Sequence, residues 1–133
     1  MKYLIDTHII IWSLTDPKKI SAGVRKVLVD ERNDIFFSPI SLWEISIKFS
    51  LGKLDLGGLE PQVILEKLSS SFIECHPPSP HTSASIHQLS RVHNDPFDRL
   101  LVWSCIQDDI TMISSDKQLG GYGEHGLKIQ LNE

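Results

Sequence analysis

Short apolar runs alternate along this chain with longer stretches of helical periodicity, and that alternation restricts the fold more than any other feature. The runs are Tyr3-Leu4-Ile5, Ile35-Phe36-Phe37, Ser71-Phe72-Ile73-Glu74, Thr111-Met112-Ile113 and Leu127-Lys128-Ile129. Helical patterns are predicted between them: His8 to Leu14, a stretch capped by Ser21 through Val24, Val27 and Leu28, Pro39 to about Leu51, Pro61 to about Leu68, about His81 to Arg91, and a last one opened by Asp95-Pro96 and running to about Asp108. Ser38-Pro39 has the form of an N-cap followed by proline at the first helical position, and Gly52 stops that helix. Strands interleaved with helices imply a parallel sheet covered on both faces, a three-layer α/β fold. At 133 residues the chain suits one domain, 1–133, with His76-Pro77-Pro78-Ser79-Pro80 as a loop inside it.

In open parallel sheets, binding sites form beyond the carboxyl ends of the strands. The first strand ends in Asp6-Thr7 and the fourth in Ser114-Ser115-Asp116. Glu44 lies a turn and a half into the helix after the second strand, and Asp98 lies in the first turn of the helix opened by Asp95-Pro96. Each acid also has a structural explanation. Ser41-x-x-Glu44 has capping-box spacing, and Glu44 with Lys48 makes a favourable i,i+4 pair. Asp95 is assigned mainly to capping, while Asp98 and Asp116 sit where a helix dipole favours an acid. Asp6 has the weakest structural explanation, because a carboxylate at a buried strand end needs something positive to meet it.

Four convergent acids repel one another, and each raises its neighbours' pKa. They stay ionised together only with a cation between them, and an all-oxygen donor set selects Mg2+ or Mn2+ over zinc. Such an ion suits phosphodiester hydrolysis. The net charge of −4 argues against nucleic-acid binding through a broad basic surface.

The histidines, including His8, His93 and His125, lack paired zinc spacing and are expected at structural or rim positions, with His93 fixing the loop before Asp95. Arg99 is a candidate phosphate contact or the partner of an acid such as Asp95 or Asp116; Lys48 and Lys53 are candidate phosphate contacts. Trp12, Trp43 and Trp103 are expected in the core or at a dimer interface, and Cys75 and Cys105 as buried free thiols. The opening apolar run is too short for a signal peptide and no stretch could span a bilayer, so a cytoplasmic protein without membrane contact is expected. A phospho-accepting receiver domain would need an acidic pair after the first strand and an Asp ending the third. A dehalogenase-type phosphatase would need a second Asp at position 8. This chain has neither pattern.

Leu4-Ile5-Asp6-Thr7-His8 through Trp12, Ser38 through Lys48 with Gly52-Lys53-Leu54, His93-Asn94-Asp95-Pro96-Phe97-Asp98-Arg99-Leu100-Leu101, and Ile113-Ser114-Ser115-Asp116 resemble PIN-domain toxins of the VapC type, in that family's order. The resemblance implies a five-stranded parallel sheet of order 3-2-1-4-5 between helices. It implies Asp6, Glu44, Asp98 and Asp116 as the catalytic and metal-holding acids, with Thr7 and Ser114 supporting them. It further implies Mg2+- or Mn2+-dependent endoribonuclease action on structured RNA such as tRNA, a cognate antitoxin, and a homodimer. Trp103, Ser104 and Cys105 stand where relatives commonly carry small residues, and Ser114 where Thr is frequent. The rival readings are a non-catalytic module of the same fold that binds RNA or protein, and a nuclease directed at DNA or at particular structures.

Overall fold

A computed structural model describes residues 1–133. Strand β1 (Lys2–Ile5) leads into helix α1 (Thr7–Thr15), a short 3-10 turn and α2 (Ala22–Val29); β2 (Asp34–Phe37) is followed by α3 (Pro39–Ser50) and α4 (Pro61–Ser69). After β3 (Glu74–Cys75) come α5 (Pro80–Ser85), a 3-10 turn at Ile86–Gln88, α6 (Pro96–Asp108), β4 (Thr111–Ser114), 3-10 turns over Lys117–His125 and β5 (Ile129–Leu131). All neighbouring strands pair in parallel, in the order β3-β2-β1-β4-β5. This is the five-stranded α/β sheet the sequence leads one to expect. No helix is long and apolar enough to cross a membrane.

The order places the site. After β1 the chain builds outward through β2 to β3, then returns to lay β4 on the other side of β1, with Ile5 level with Ile113. Connections leaving β1 and β4 therefore diverge, and the gap between them opens beyond Ile5 and Ser114. Both faces of the central strand are buried. Tyr3 and Ile5 belong to a core shared with Ile9 and Ile10 of α1, Val24 of α2, Ile45 of α3 and Ile64 of α4; Leu4 points the other way, into a core with Leu101, Val102 and Cys105 of α6. Strand periodicity of two, apolar on both sides, is the signature of a sheet between two helical layers.

Local chemistry explains the helix starts. Ser21 Oγ accepts from Val24 N–H, Ser38 Oγ from Ile40 N–H, and Asp95 Oδ1 from Phe97 and Asp98 N–H. Three such caps match the sequence expectation; the outer strands do not. The third is two residues, Glu74–Cys75, because Ser71 closes the end of α4 by donating to Leu68 O and accepting from Ile73 N–H. The fifth begins at Ile129, since Leu127 N–H is still bonded to Tyr122 O in the preceding turn. The helix expected to reach Arg91 ends at Ser85, followed by the turn at Ile86–Gln88. The carbonyls of Leu89 and Ser90 beyond it are taken by the Arg99 guanidinium.

One expectation about a single side chain is also corrected. Cys75 lies on an edge strand and is exposed, whereas Cys105 is buried; both are free. Trp43 is 59% exposed, its ring standing edge-on to Phe97 at 5.2 Å.

Candidate active site

Asp6, Glu44, Asp98 and Asp116 line one pocket of about 270 Å³, together with His8, Trp12, Lys48 and Ser115. The four acids come from the end of β1, the second turn of α3, the first turn of α6 and the turn after β4. Each is held differently.

Asp6 caps α1, its Oδ1 accepting from Ile9 N–H at 3.0 Å, while Oδ2 accepts from Ser114 Oγ at 2.5 Å. Capping supplies the structural role that the sequence left open, although no cation touches the group. Burial pushes its carboxyl above the usual range, against the pull of the Ser114 and Ile9 hydrogen bonds and of His8. Ser114 Oγ also accepts from Asp116 N–H, so one hydroxyl at the end of β4 links two of the acids.

Glu44 is 2% exposed; Oε1 accepts from Thr7 Oγ1 at 2.6 Å and Oε2 from Lys48 Nζ at 2.5 Å. The capping-box reading fails. Ser38, not Ser41, is the N-cap of α3, and Ser41 Oγ is buried with no hydrogen-bond partner. The i,i+4 pair does form, and Lys48 Nζ also reaches Asp95 Oδ2 at 3.4 Å. Burial disfavours the Lys48 charge, but Glu44 and Asp95 outweigh it and raise its pKa.

Asp98 has no such donors. Burial, then the negative charges of Asp95, Glu44 and Asp6, push its carboxyl up to about 7, with His93 pulling the other way. Asp116 caps the turns that follow it, Oδ1 accepting from Gln118 N–H at 2.9 Å; its Oδ2 lies 3.0 Å from His93 Nε2. That same nitrogen is 3.7 Å from Asp98 Oδ2. His93 Nε2 and one oxygen each of Asp98 and Asp116 lie within 4.8 Å of one another, close enough to share an ion.

The donor set suits a hard divalent cation. Four carboxylates face one small space in which Lys48 is the only Lys or Arg, and burial together with the neighbouring negative charges raises the Asp98 carboxyl.

Arg99 does not pair with Asp95 or Asp116. It is 8% exposed, and its guanidinium donates to the carbonyls of Leu89, Ser90 and His93 and to Tyr122 Oη. A planar fork with several donors satisfies a cluster of free carbonyls better than one carboxylate would. These bonds also occupy it as a phosphate contact. The sequence expectation for His93 is a loop role alone. Its Nδ1 does accept from Asp95 N–H at 3.0 Å, as that role requires, but the other edge of the ring faces the acids. Nothing in the local pattern reveals this, because Asp116 is 23 residues away.

A family model described as PIN domain matches residues 3–124. No curated protein matches the chain by sequence. Among solved structures, VapBC2 from Rickettsia felis bound to a DNA fragment from its promoter aligns over 100% of both chains, with 18% identity and a TM-score of 0.73. DNA-bound VapBC from Salmonella typhimurium covers 98% of this chain and 97% of its own, at 14% identity and a TM-score of 0.64. VapBC-1 from nontypeable Haemophilus influenzae covers 98% of each, at 16% identity and a TM-score of 0.65. At these identities the likeness is one of fold.

Proposed function

This chain belongs to the PIN domain family, whose members are generally nucleases, and on that premise we propose that it is a divalent-metal-dependent endoribonuclease, the toxin of a two-component toxin–antitoxin system. The observation that carries the reading is the meeting of Asp6, Glu44, Asp98 and Asp116 in one pocket at the topological break of the sheet. The family resemblance supports the toxin assignment, as does the likeness in fold to the VapBC structures. RNA as substrate, with tRNA as a natural class, an antitoxin protein as partner, a homodimer and a cytoplasmic location belong to the same proposal. Light scattering on the purified chain tests the dimer; a monomer at micromolar concentration would remove that part.

In this reading Asp6, Glu44, Asp98 and Asp116 hold Mg2+ or Mn2+. The chemistry such an ion supplies is Lewis acidity, which offsets charge growing at phosphorus and acidifies water. The chain's own groups prepare for it. Thr7 and Ser114 donate their single hydroxyl protons to Glu44 and Asp6, fixing one oxygen of each carboxylate while Lys48 and the Ile9 amide hold the other. Lys48 lies against Glu44 and Asp95, where it offsets charge at the rim and offers the substrate's phosphates a nearby cation. Asp95 acts through its cap, which orients the first turn of α6 and so Asp98. Asp98 is the acid able to hold or release a proton near neutrality before an ion enters.

Cleavage of a structured RNA by the purified chain tests this, with DNA of the same sequence as control. Asp6→Asn and Asp98→Asn are each expected to lower the rate at least about 100-fold, and EDTA to stop cleavage until Mg2+ or Mn2+ is restored. Undiminished cleavage by Asp6→Asn, or turnover unaffected by chelation, would overturn the assignment.

A further inference from the structure

His93 sits among the acids in the arrangement expected of a metal ligand, yet its hydrogen bonds assign it another task. The ring is mostly buried, with 14% of the side chain exposed, and its two nitrogens face different partners. Nδ1 lies 3.0 Å from the backbone N–H of Asp95. An amide N–H can only donate, so Nδ1 must offer its lone pair, and in the neutral ring the hydrogen must then reside on Nε2. Nε2 in turn points at Asp116 Oδ2, 3.0 Å away, and beyond it at Asp98 Oδ2, 3.7 Å away. For Nε2 to bind a cation it would have to surrender that hydrogen. Nδ1 would then carry it, straight against the Asp95 N–H. The two donors would face each other at hydrogen-bond distance in a largely buried place, a cost of at least one lost hydrogen bond.

The backbone of His93 leaves the ring little freedom to avoid that conflict. Its N–H donates to Tyr122 Oη at 3.0 Å, and its carbonyl accepts from Arg99 Nη1 at 3.4 Å. Tyr122 is fully buried and Arg99 nearly so, and the two are bonded to each other as well. The loop that carries the imidazole is therefore pinned to α6 on one side and to the turns after β4 on the other. Asp98 and Asp116 lie on those same two elements.

We propose that His93 is a positioning residue rather than a metal ligand: its Nε2–H, fixed by the Asp95 amide behind it, aims the carboxylate of Asp116 into the pocket shared with Asp98. The ion's donors are then oxygens alone, which keeps the site suited to Mg2+ or Mn2+ and unsuited to zinc. This rests on the nuclease reading for its purpose, but not for its geometry.

Ring-nitrogen NMR of the whole protein separates the possibilities. Long-range proton–nitrogen correlations report which nitrogen of His93 bears hydrogen, first in chelator and then in saturating Mg2+. Nε2 is expected to bear it in both states. A hydrogen on Nδ1 alone in the metal-free protein would overturn the proposal, and so would its transfer to Nδ1 when Mg2+ is added. If the wild-type protein cuts no RNA, the nuclease reading falls while the metal-free spectrum still decides the tautomer.

Two substitutions add a functional readout. His93→Asn retains an oxygen able to accept from the Asp95 amide but is too short to reach Asp116. His93→Gln places an amide donor near the Nε2 position. The expected result is a kcat about tenfold lower for His93→Asn with KM changed less than about twofold, and recovery of most of that loss by His93→Gln. Equal loss in both variants, accompanied by weakened Mn2+ binding in a calorimetric titration, would mark His93 as a ligand and overturn the proposal.

Discussion

Asp98 is raised first by burial and then by three negative neighbours, Asp95 one turn back in the chain and Glu44 and Asp6 across the pocket, with only His93 pulling the other way. A carboxyl pushed to about 7 binds its proton more tightly in the folded chain than in the unfolded one, where the ordinary value is 3.8. Between those values the folded state holds the proton and the unfolded state does not. Stability of the metal-free protein is therefore expected to fall as pH rises from about 4 to about 7 and to level off above that, with Asp6 contributing in the same direction. Asp98→Asn should remove most of the slope and stabilise the metal-free chain at pH 8 by about 1–2 kcal/mol, a figure already reduced for the solvent that reaches this side chain. Urea titrations in chelator at acid and alkaline pH check both statements; a variant less stable than wild type at pH 8 would contradict them. At the same scale the sequence was informative about identities and silent about partners. It named all four acids and the local Glu44–Lys48 pair, but the Thr7 and Ser114 hydroxyls and the His93 ring acquire their meaning from contacts between residues 23 to 108 positions apart. Arg99 shows the limit most clearly. An arginine directly after an acid reads as an ion-pair partner, and only the fold reveals the carbonyls it satisfies.

Helices were legible where their ends are built from local chemistry. The caps at Ser21, Ser38 and Asp95 each use a side chain two or three residues from the amide it accepts, so the pattern is written within one turn of sequence. Ser41-x-x-Glu44 has the same spacing and does not cap, because the helix has already begun at Pro39. Edge strands β3 and β5 were displaced for a related reason. They are short, pair on one side only, and start where a preceding turn lets go of the chain, which no periodicity records. The cap of α6 also carries a prediction. Asp95→Ala should destabilise the protein by about 1 kcal/mol and lower cleavage further than the loss of fold explains, because the first turn that bears Asp98 loses its anchor. Asp95→Asn should retain most of both. Denaturant midpoints and single-turnover rates on the two variants check this, and equal activity of the alanine variant would show that the cap does not orient Asp98.

Across the whole molecule, the alternation of strands and helices made a parallel three-layer sheet legible, while the strand order, implied only by the family resemblance, is what locates the crevice, since β1 and β4 are neighbours whose connections part. With a net charge of −4 the chain has no excess of cations to release ions from an RNA backbone. Cleavage efficiency on a short RNA should therefore depend weakly on monovalent salt, with a logarithmic slope no steeper than about −2 between about 50 and about 200 mM. A steep slope would point to a basic partner surface contributed by another chain. One further consequence follows from how the acids are seated. Asp6 and Asp116 each stop the frayed start of an element as well as facing the pocket, and asparagine performs that first duty about as well as aspartate. On the proposed reading, a single amide at either position is expected to stop cleavage and leave the fold intact, so that one substitution separates activity from folding.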